Sequence, residues 1–110
     1  MNKEEFHKAY ARILRGVAKR MELAPGTYEV RSNKGGPAVL GEVTLHGESI
    51  YIQVGGSLCT ADAPDLYYRS VKGRKDYTGG VNRWDVSAQD LVNNEAEAVA
   101  RFKATAVRGR

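Results

Sequence analysis

The chain is poor in the residues that usually announce chemistry. In 110 residues it has one cysteine, Cys59, two histidines and three prolines. A single thiol excludes an intramolecular disulfide and every zinc pattern built on paired cysteines. The histidines, His7 and His46, lie in no nucleophile or metal pattern. No apolar run approaches the length of a membrane span, and no leader pattern follows Met1, so the chain reads as cytoplasmic and not bound to membrane. Repeats and low-complexity tails are missing too.

Nucleotide fingerprints fail on spacing. Gly73 is not followed by Gly-Lys-Ser/Thr as in a phosphate-binding loop, and G-x-G-x-x-G is absent. No acid–base pair and no nucleophile–base pair assembles from the sequence, so the chain is expected to bind and not to catalyse, with no cofactor and no metal. Asp62 and Asp65 flank Pro64 in a loop, a place where a cation is conceivable but where paired carboxylates are common. Cys59, after a Gly-Gly-Ser turn, is expected as a small apolar filler.

What is present fits one small domain spanning 1–110, with 106–110 expected to fray. Hydrophobic residues make up 42% of it, enough for a core without staples. Residues 3–22 form an amphipathic helix: Phe6, Tyr10, Ile13, Leu14, Val17 and Met21 recur at helical steps, and Pro25-Gly26 ends the pattern. From Thr27 to about Tyr77 the period is two. Strands are expected around Tyr28–Arg31, over Val39–Leu45 (Val39, Gly41, Val43 and Leu45 on one face), over Ile50–Val54 and over Leu66–Lys72. "HGE" at 46–48 reads as a tight hairpin with Gly47 at positive φ. A second helix starts at Ser87, where Ser87 and Asp90 resemble a capping box. Leu91, Val92, Val99, Phe102 and Ala106 share its face, and Asn93-Asn94 is its weak point. The expected class is α+β: N-terminal helix, four-stranded antiparallel meander, C-terminal helix, with both helices on one sheet face.

The net charge of +4 is unevenly spread. Residues 69–84 hold five bases, Arg69, Lys72, Arg74, Lys75 and Arg83, against one acid, Asp76. Residues 24–68, just before them, hold two bases and five acids. Within the basic stretch, Tyr77 and Trp84 offer stacking faces and Gly79-Gly80 lets backbone N–H groups approach an anion. Two readings stand: a grip on a polyanion, or a solvated hairpin with Tyr77 folded onto the core. Trp84 is expected in the core beside the second helix, because tryptophan is highly buried on average.

Two further groups extend the first reading. Lys8, Arg12, Arg15 and Lys19 fall within roughly 60° on the polar side of the first helix; a charge stripe of this kind is more often a wet face. On the sheet, alternation puts Tyr51 opposite Ile50 and Ile52 in direction, and lets Tyr67 and Arg69 share a face with it. That is the basic-aromatic platform physics of sheet-based RNA binders, without an RNP-like signature. The alternative is a cross-strand aromatic pair or a dimer interface. The expected function is therefore a small basic accessory protein that binds nucleic acid through 69–84. The alternative is a non-catalytic module that docks on an acidic protein surface, inhibits a partner or forms a homo-oligomer.

Overall fold

The computed structural model describes residues 1–108, and the side chains of all of these except Tyr77 and Arg108. The helix α1 (Lys3–Arg20) begins with a capping box: the Glu5 amide donates to Asn2 Oδ1 at 2.8 Å and the Asn2 amide donates to Glu5 Oε1 at 3.1 Å. Glu4 and Glu5 in the first turn and Lys19 and Arg20 in the last suit the helix dipole. Its end comes two residues earlier than the periodicity implies. The Leu23 amide reaches back to the Ala18 carbonyl and the Glu22 amide to that of Lys19, which requires Glu22 to take φ 63°. This is the Schellman reversal, with glutamate where glycine is usual.

The sheet has five antiparallel strands in the order β1-β2-β3-β4-β5. These are β1 (Glu29–Asn33), β2 (Val39–His46), β3 (Ile50–Ser57), β4 (Asp65–Gly73) and β5 (Asp76–Gly79), with a single 3-10 turn at Leu58–Thr60 between β3 and β4. The meander is as expected, but with one strand more than the four the alternation shows. The basic run 71–84 is not one loop: 71–73 end β4, 74–75 turn, and 76–79 fold back on β4 as β5. Its tip is Arg74-Lys75, and Asp76 Oδ1 accepts from the Thr78 amide and hydroxyl. Lysines and a glycine pair suggest a turn by composition, yet they suit an edge strand, where charge discourages pairing with another chain.

A second difference lies in β2. Val39 pairs with Ser57 and Gly41 with Gly56, so Leu40 is an extra residue and the alternation slips by one. Leu40 is therefore fully buried, while Val39 is exposed. Gly41 makes the bulge possible: it sits at φ 80°, and a Cβ there would lie 2.1 Å from the Asn33 carbonyl oxygen. At the β2–β3 hairpin Gly47 does not take positive φ. Its amide donates to the Ile50 carbonyl, and its lack of a side chain admits Ile50 Cγ2 at 3.0 Å from where a Cβ would stand.

The C-terminal region breaks at the weak point. Ser87 and Asp90 exchange the capping-box bonds, α2 (Asp90–Asn93) is one turn, Asn94 leaves helical geometry at φ −135°, and α3 (Glu95–Arg108) follows. The break shifts the phase, so Leu91, Val99 and Phe102 are buried but Val92 is exposed. Of the tail expected to fray, 106–108 continue α3, and 109–110 lie outside the described residues.

Both long helices pack on one face of the sheet. Phe6, Leu14 and Val17 of α1 and Phe102 of α3 join Val43, Leu45, Ile52, Val54, Leu66 and Tyr68 in one core. Burying each of the larger apolar side chains contributes about 1.5–3 kcal/mol. Among the described residues no helix is long and apolar enough to cross a membrane.

Candidate functional site

The sheet register writes the open face directly. Ile52 and Tyr68, opposite each other, point to the helices, so their neighbours Tyr51, Gln53, Tyr67 and Arg69 point away. Across the strands three rows form. The first runs Glu29, His46, Tyr51, Arg69; the second Arg31, Thr44, Gln53, Tyr67; the third Asn33, Glu42, Gly55, Asp65. A bridge between Tyr68 and Arg83 continues the pairing beyond β5, which sets Asn82 beside Arg69 and Trp84 beside Tyr67.

The aromatic groups touch along these rows. Trp84 and Tyr67 have ring centroids 5.0 Å apart, Tyr67 and Tyr51 6.1 Å, and Tyr51 and His46 5.2 Å. The Arg69 guanidinium lies 4.9 Å from the Tyr51 ring centroid while its Nη1 donates to Asn82 Oδ1 at 2.9 Å. Both tyrosine hydroxyls donate to one atom, Gln53 Oε1, at 2.6 Å from Tyr51 and 2.8 Å from Tyr67. Thr44 Oγ1 and His46 Nε2 share a hydrogen bond of 2.8 Å. Thr44, His46 and Tyr51 are buried although no helix covers them, because their neighbours on the same face shield them. Burial pushes the Tyr51 hydroxyl well up and, together with the Arg31 charge, holds the His46 imidazole below its ordinary value.

Trp84 departs from its expected place in the core. It is 63% exposed, and Val86, two residues on, enters the core instead. The reason is phase: Arg83 opposes the inward Tyr68, so the residue after it must face out. The tryptophan therefore completes the platform that Tyr51, Tyr67 and Arg69 begin.

The remaining basic residues are dispersed. Arg69 joins the platform. Lys72 and Lys75 are exposed toward the β4–β5 hairpin tip, beyond Arg69 on the same strand pair. Arg74 donates to the Gly26 carbonyl at 2.9 Å and so fastens the hairpin to the segment before β1. Arg83, opposite Tyr68, belongs to the helix side of the sheet. Tyr77 lies in β5, its side chain outside the described part. Lys8, Arg12, Arg15 and Lys19 are exposed on α1, whose other side packs on the sheet, so they occupy the opposite side of the molecule from the platform. The two basic regions do not form one track.

Charge on the open face runs along the strands. Arg31 and Arg69 sit in the upper two rows; Glu42 and Asp65 share the lower row. Glu29 is neutralised by Arg31 at 3.0 Å.

Other candidates find different roles. His7 is buried: Nε2 bonds to the Leu40 carbonyl at 2.7 Å and Nδ1 to the Ser32 hydroxyl, a latch between α1 and the first two strands. Cys59 is exposed in the 3-10 turn and fills no core space. Asp62 accepts from the chain's amino terminus at 2.6 Å. Among the described residues no group of three or more metal-ligating side chains converges. Gln53 faces out beside Tyr51, as the alternation implies, whereas Trp84 and Asp65 are members of the face that the sequence did not assign to it. The one signal for Trp84 was the alternation Asn82, Trp84 out and Arg83 in, invisible without knowing that this segment pairs with β4.

Compared with protein-family models, curated proteins and solved structures, the chain matches none.

Proposed function

We infer that this protein binds single-stranded nucleic acid on the open face of its sheet, without catalysing a reaction. The observation that carries the reading is the contiguous row of rings Trp84, Tyr67, Tyr51, each tilted against the next by 42° and 46°, with Arg69 laid over Tyr51. Unpaired bases stack on accessible rings such as Trp84 and Tyr67 whatever their sequence, each contributing about 1–3 kcal/mol. Duplex cannot offer those faces, which is why single strands are preferred. Phosphates fall to Arg69 on the face and to Lys72 and Lys75 at the hairpin, because Arg31 is paired with Glu29. The sequence-stretch 69–84 thus contributes, but as one wall of a platform and not as a closed loop. A cytoplasmic location suits an exposed lone thiol, which stays reduced there.

The test is anisotropy of labelled single-stranded RNA and DNA, with duplex as control, at low and moderate salt. Binding at micromolar or tighter affinity is expected. If three or four phosphates are neutralised, log K should fall with log salt at a slope of about −2 to −3. Reversing Lys72 and Lys75 to Glu should weaken binding and flatten that slope, and reversing Lys8 and Arg12 should do neither. No binding at low salt overturns the reading.

A second reading rests on Glu42 and Asp65, which give the lower row the opposite sign from Arg31 and Arg69. Tyr, Trp and Arg on a mixed-charge face also suit a protein partner or a second copy of the chain. Self-association that disappears in Tyr67→Ala, with nucleic-acid binding absent, would favour it.

A further inference from the structure

The lower part of the open face contains a hollow of about 220 Å³ lined by Gln53, Gly55, Gly56, Asp65, Tyr67 and Trp84. It exists because of the bulge in β2. Gly55 sits across from Glu42 in the third row, and a Cβ there would lie 2.8 Å from the Gly41 carbonyl oxygen. The register slip at Gly41 thus demands glycine at 55, and the missing side chain leaves a gap in the floor beside Trp84 and Tyr67.

Its polar side chains are few. Gln53 Oε1 already accepts from both tyrosine hydroxyls, so the half of that amide left for a ligand is its Nε2 amino group, a donor. Asp65 brings a carboxylate, which only accepts and can take two parallel N–H donors at once. The hollow is therefore lined by two aromatic rings, Tyr67 and Trp84, one amide donor and one double acceptor.

We propose that this hollow is a base-selective pocket for guanine within a single strand, an assignment that rests on the nucleic-acid reading of the face. Guanine carries on one edge a carbonyl acceptor followed by two N–H donors, the complement of Gln53 and Asp65. Adenine matches with one acceptor and one donor, and cytosine offers a single amino donor. Uracil and thymine flank their one N–H with two carbonyls, one of which would face the carboxylate.

Four thymine-rich oligonucleotides that differ only in one central base, guanine, adenine, cytosine or thymine, test this by anisotropy against the wild-type chain and Asp65→Asn. The guanine oligonucleotide should bind about tenfold more tightly than the thymine one, the discrimination of one bidentate base contact. Asp65→Asn should bring that ratio close to one. Removing a negative charge can strengthen binding to every oligonucleotide, and the ratio divides that gain out. The side chain of Asp65 is exposed, so the variant should fold as the parent does, which circular dichroism checks. Equal binding of all four by the wild type, or a guanine preference that survives Asp65→Asn, overturns the pocket while leaving the nucleic-acid reading in place. No binding of any of them overturns both.

Discussion

The two faces of one sheet are made from the same strands by the same alternation, and they end up physically unlike. On the helix side, Leu45, Ile52, Val54 and Tyr68 are buried under α1 and α3, in contact with Phe6, Leu14 and Phe102. On the open side, Thr44, His46 and Tyr51 are nearly as buried, at 6%, 7% and 8% exposure, with no element above them. Burial on the first face comes from a second layer. Burial on the second comes from sideways packing of rings and of the Arg69 guanidinium on their own neighbours. Apolar closure of the first kind maximises stability. The second kind produces a partly dry, polar surface whose side chains hold one another in place, and under the proposed function this leaves little ordering to oppose binding.

Truncation separates the faces most strongly on the helix side. Phe102 is fully buried and meets Tyr68 edge-on at 4.8 Å. Phe102→Ala should cost about 3–5 kcal/mol in urea unfolding, while the fraction still folded binds oligonucleotides as before. A loss of stability under about 1 kcal/mol would mean that the helix layer does not close the core as described. Trp84→Ala is the mirror experiment. It should weaken single-strand binding by about 1–3 kcal/mol, seen as a shift in the anisotropy midpoint. Its cost in stability should be no more than about 0.5–1.5 kcal/mol, the value of one aromatic pair. A variant that unfolds without changing affinity would erase the distinction between the faces.

The smallest effect sharpens the comparison through pH. His46 is held below its ordinary value by burial first and by Arg31 second, with Glu29 opposing. The folded chain therefore keeps the imidazole neutral where the unfolded chain takes up a proton. Stability from this group is complete above the unfolded value of about 6.5 and is lost as pH falls from there toward the lowered folded value. The slope across that window is at most about 1.4 kcal/mol per pH unit. Urea midpoints measured from about pH 8 down to about pH 5 should fall less steeply for His46→Gln than for the parent. Parallel curves would show that the open face tolerates a charge at that position and is wetter than its geometry indicates.

Much of the architecture was legible because it follows from local periodicity. The step pattern of Phe6, Tyr10, Leu14 and Val17 located α1, and the alternation around Ile50, Ile52 and Val54 located β3 and set Tyr51 on the other face. Asn93-Asn94 marked a real break in the C-terminal helix. The misses share one cause. The bulge at Leu40-Gly41, the strand β5 and the outward Trp84 all depend on which strand lies alongside and in what register, and register is a property of pairs of distant segments. A run rich in Lys, Arg and Gly reads as a loop when it stands alone; beside β4 the same run is an edge strand. The basic residues show the same limit. Their clustering in sequence was correct, yet alternation and pairing sent Arg69 to the platform, Arg83 to the helix side and Arg74 to the Gly26 carbonyl.

By itself, then, the sequence determined the class of the fold, the sequence order of helices and strands, the presence of an apolar sheet face and the pairing of Tyr51, Tyr67 and Arg69 on the other. Those follow from side-chain size and polarity repeated at the helical and strand periods. Tertiary structure alone decided that Trp84 joins that face, that the helix stripe Lys8, Arg12, Arg15 and Lys19 stands on the far side, and that a glycine-floored hollow opens beside Asp65. These depend on hydrogen-bond register between segments far apart in the chain, where a shift of one residue exchanges the two faces.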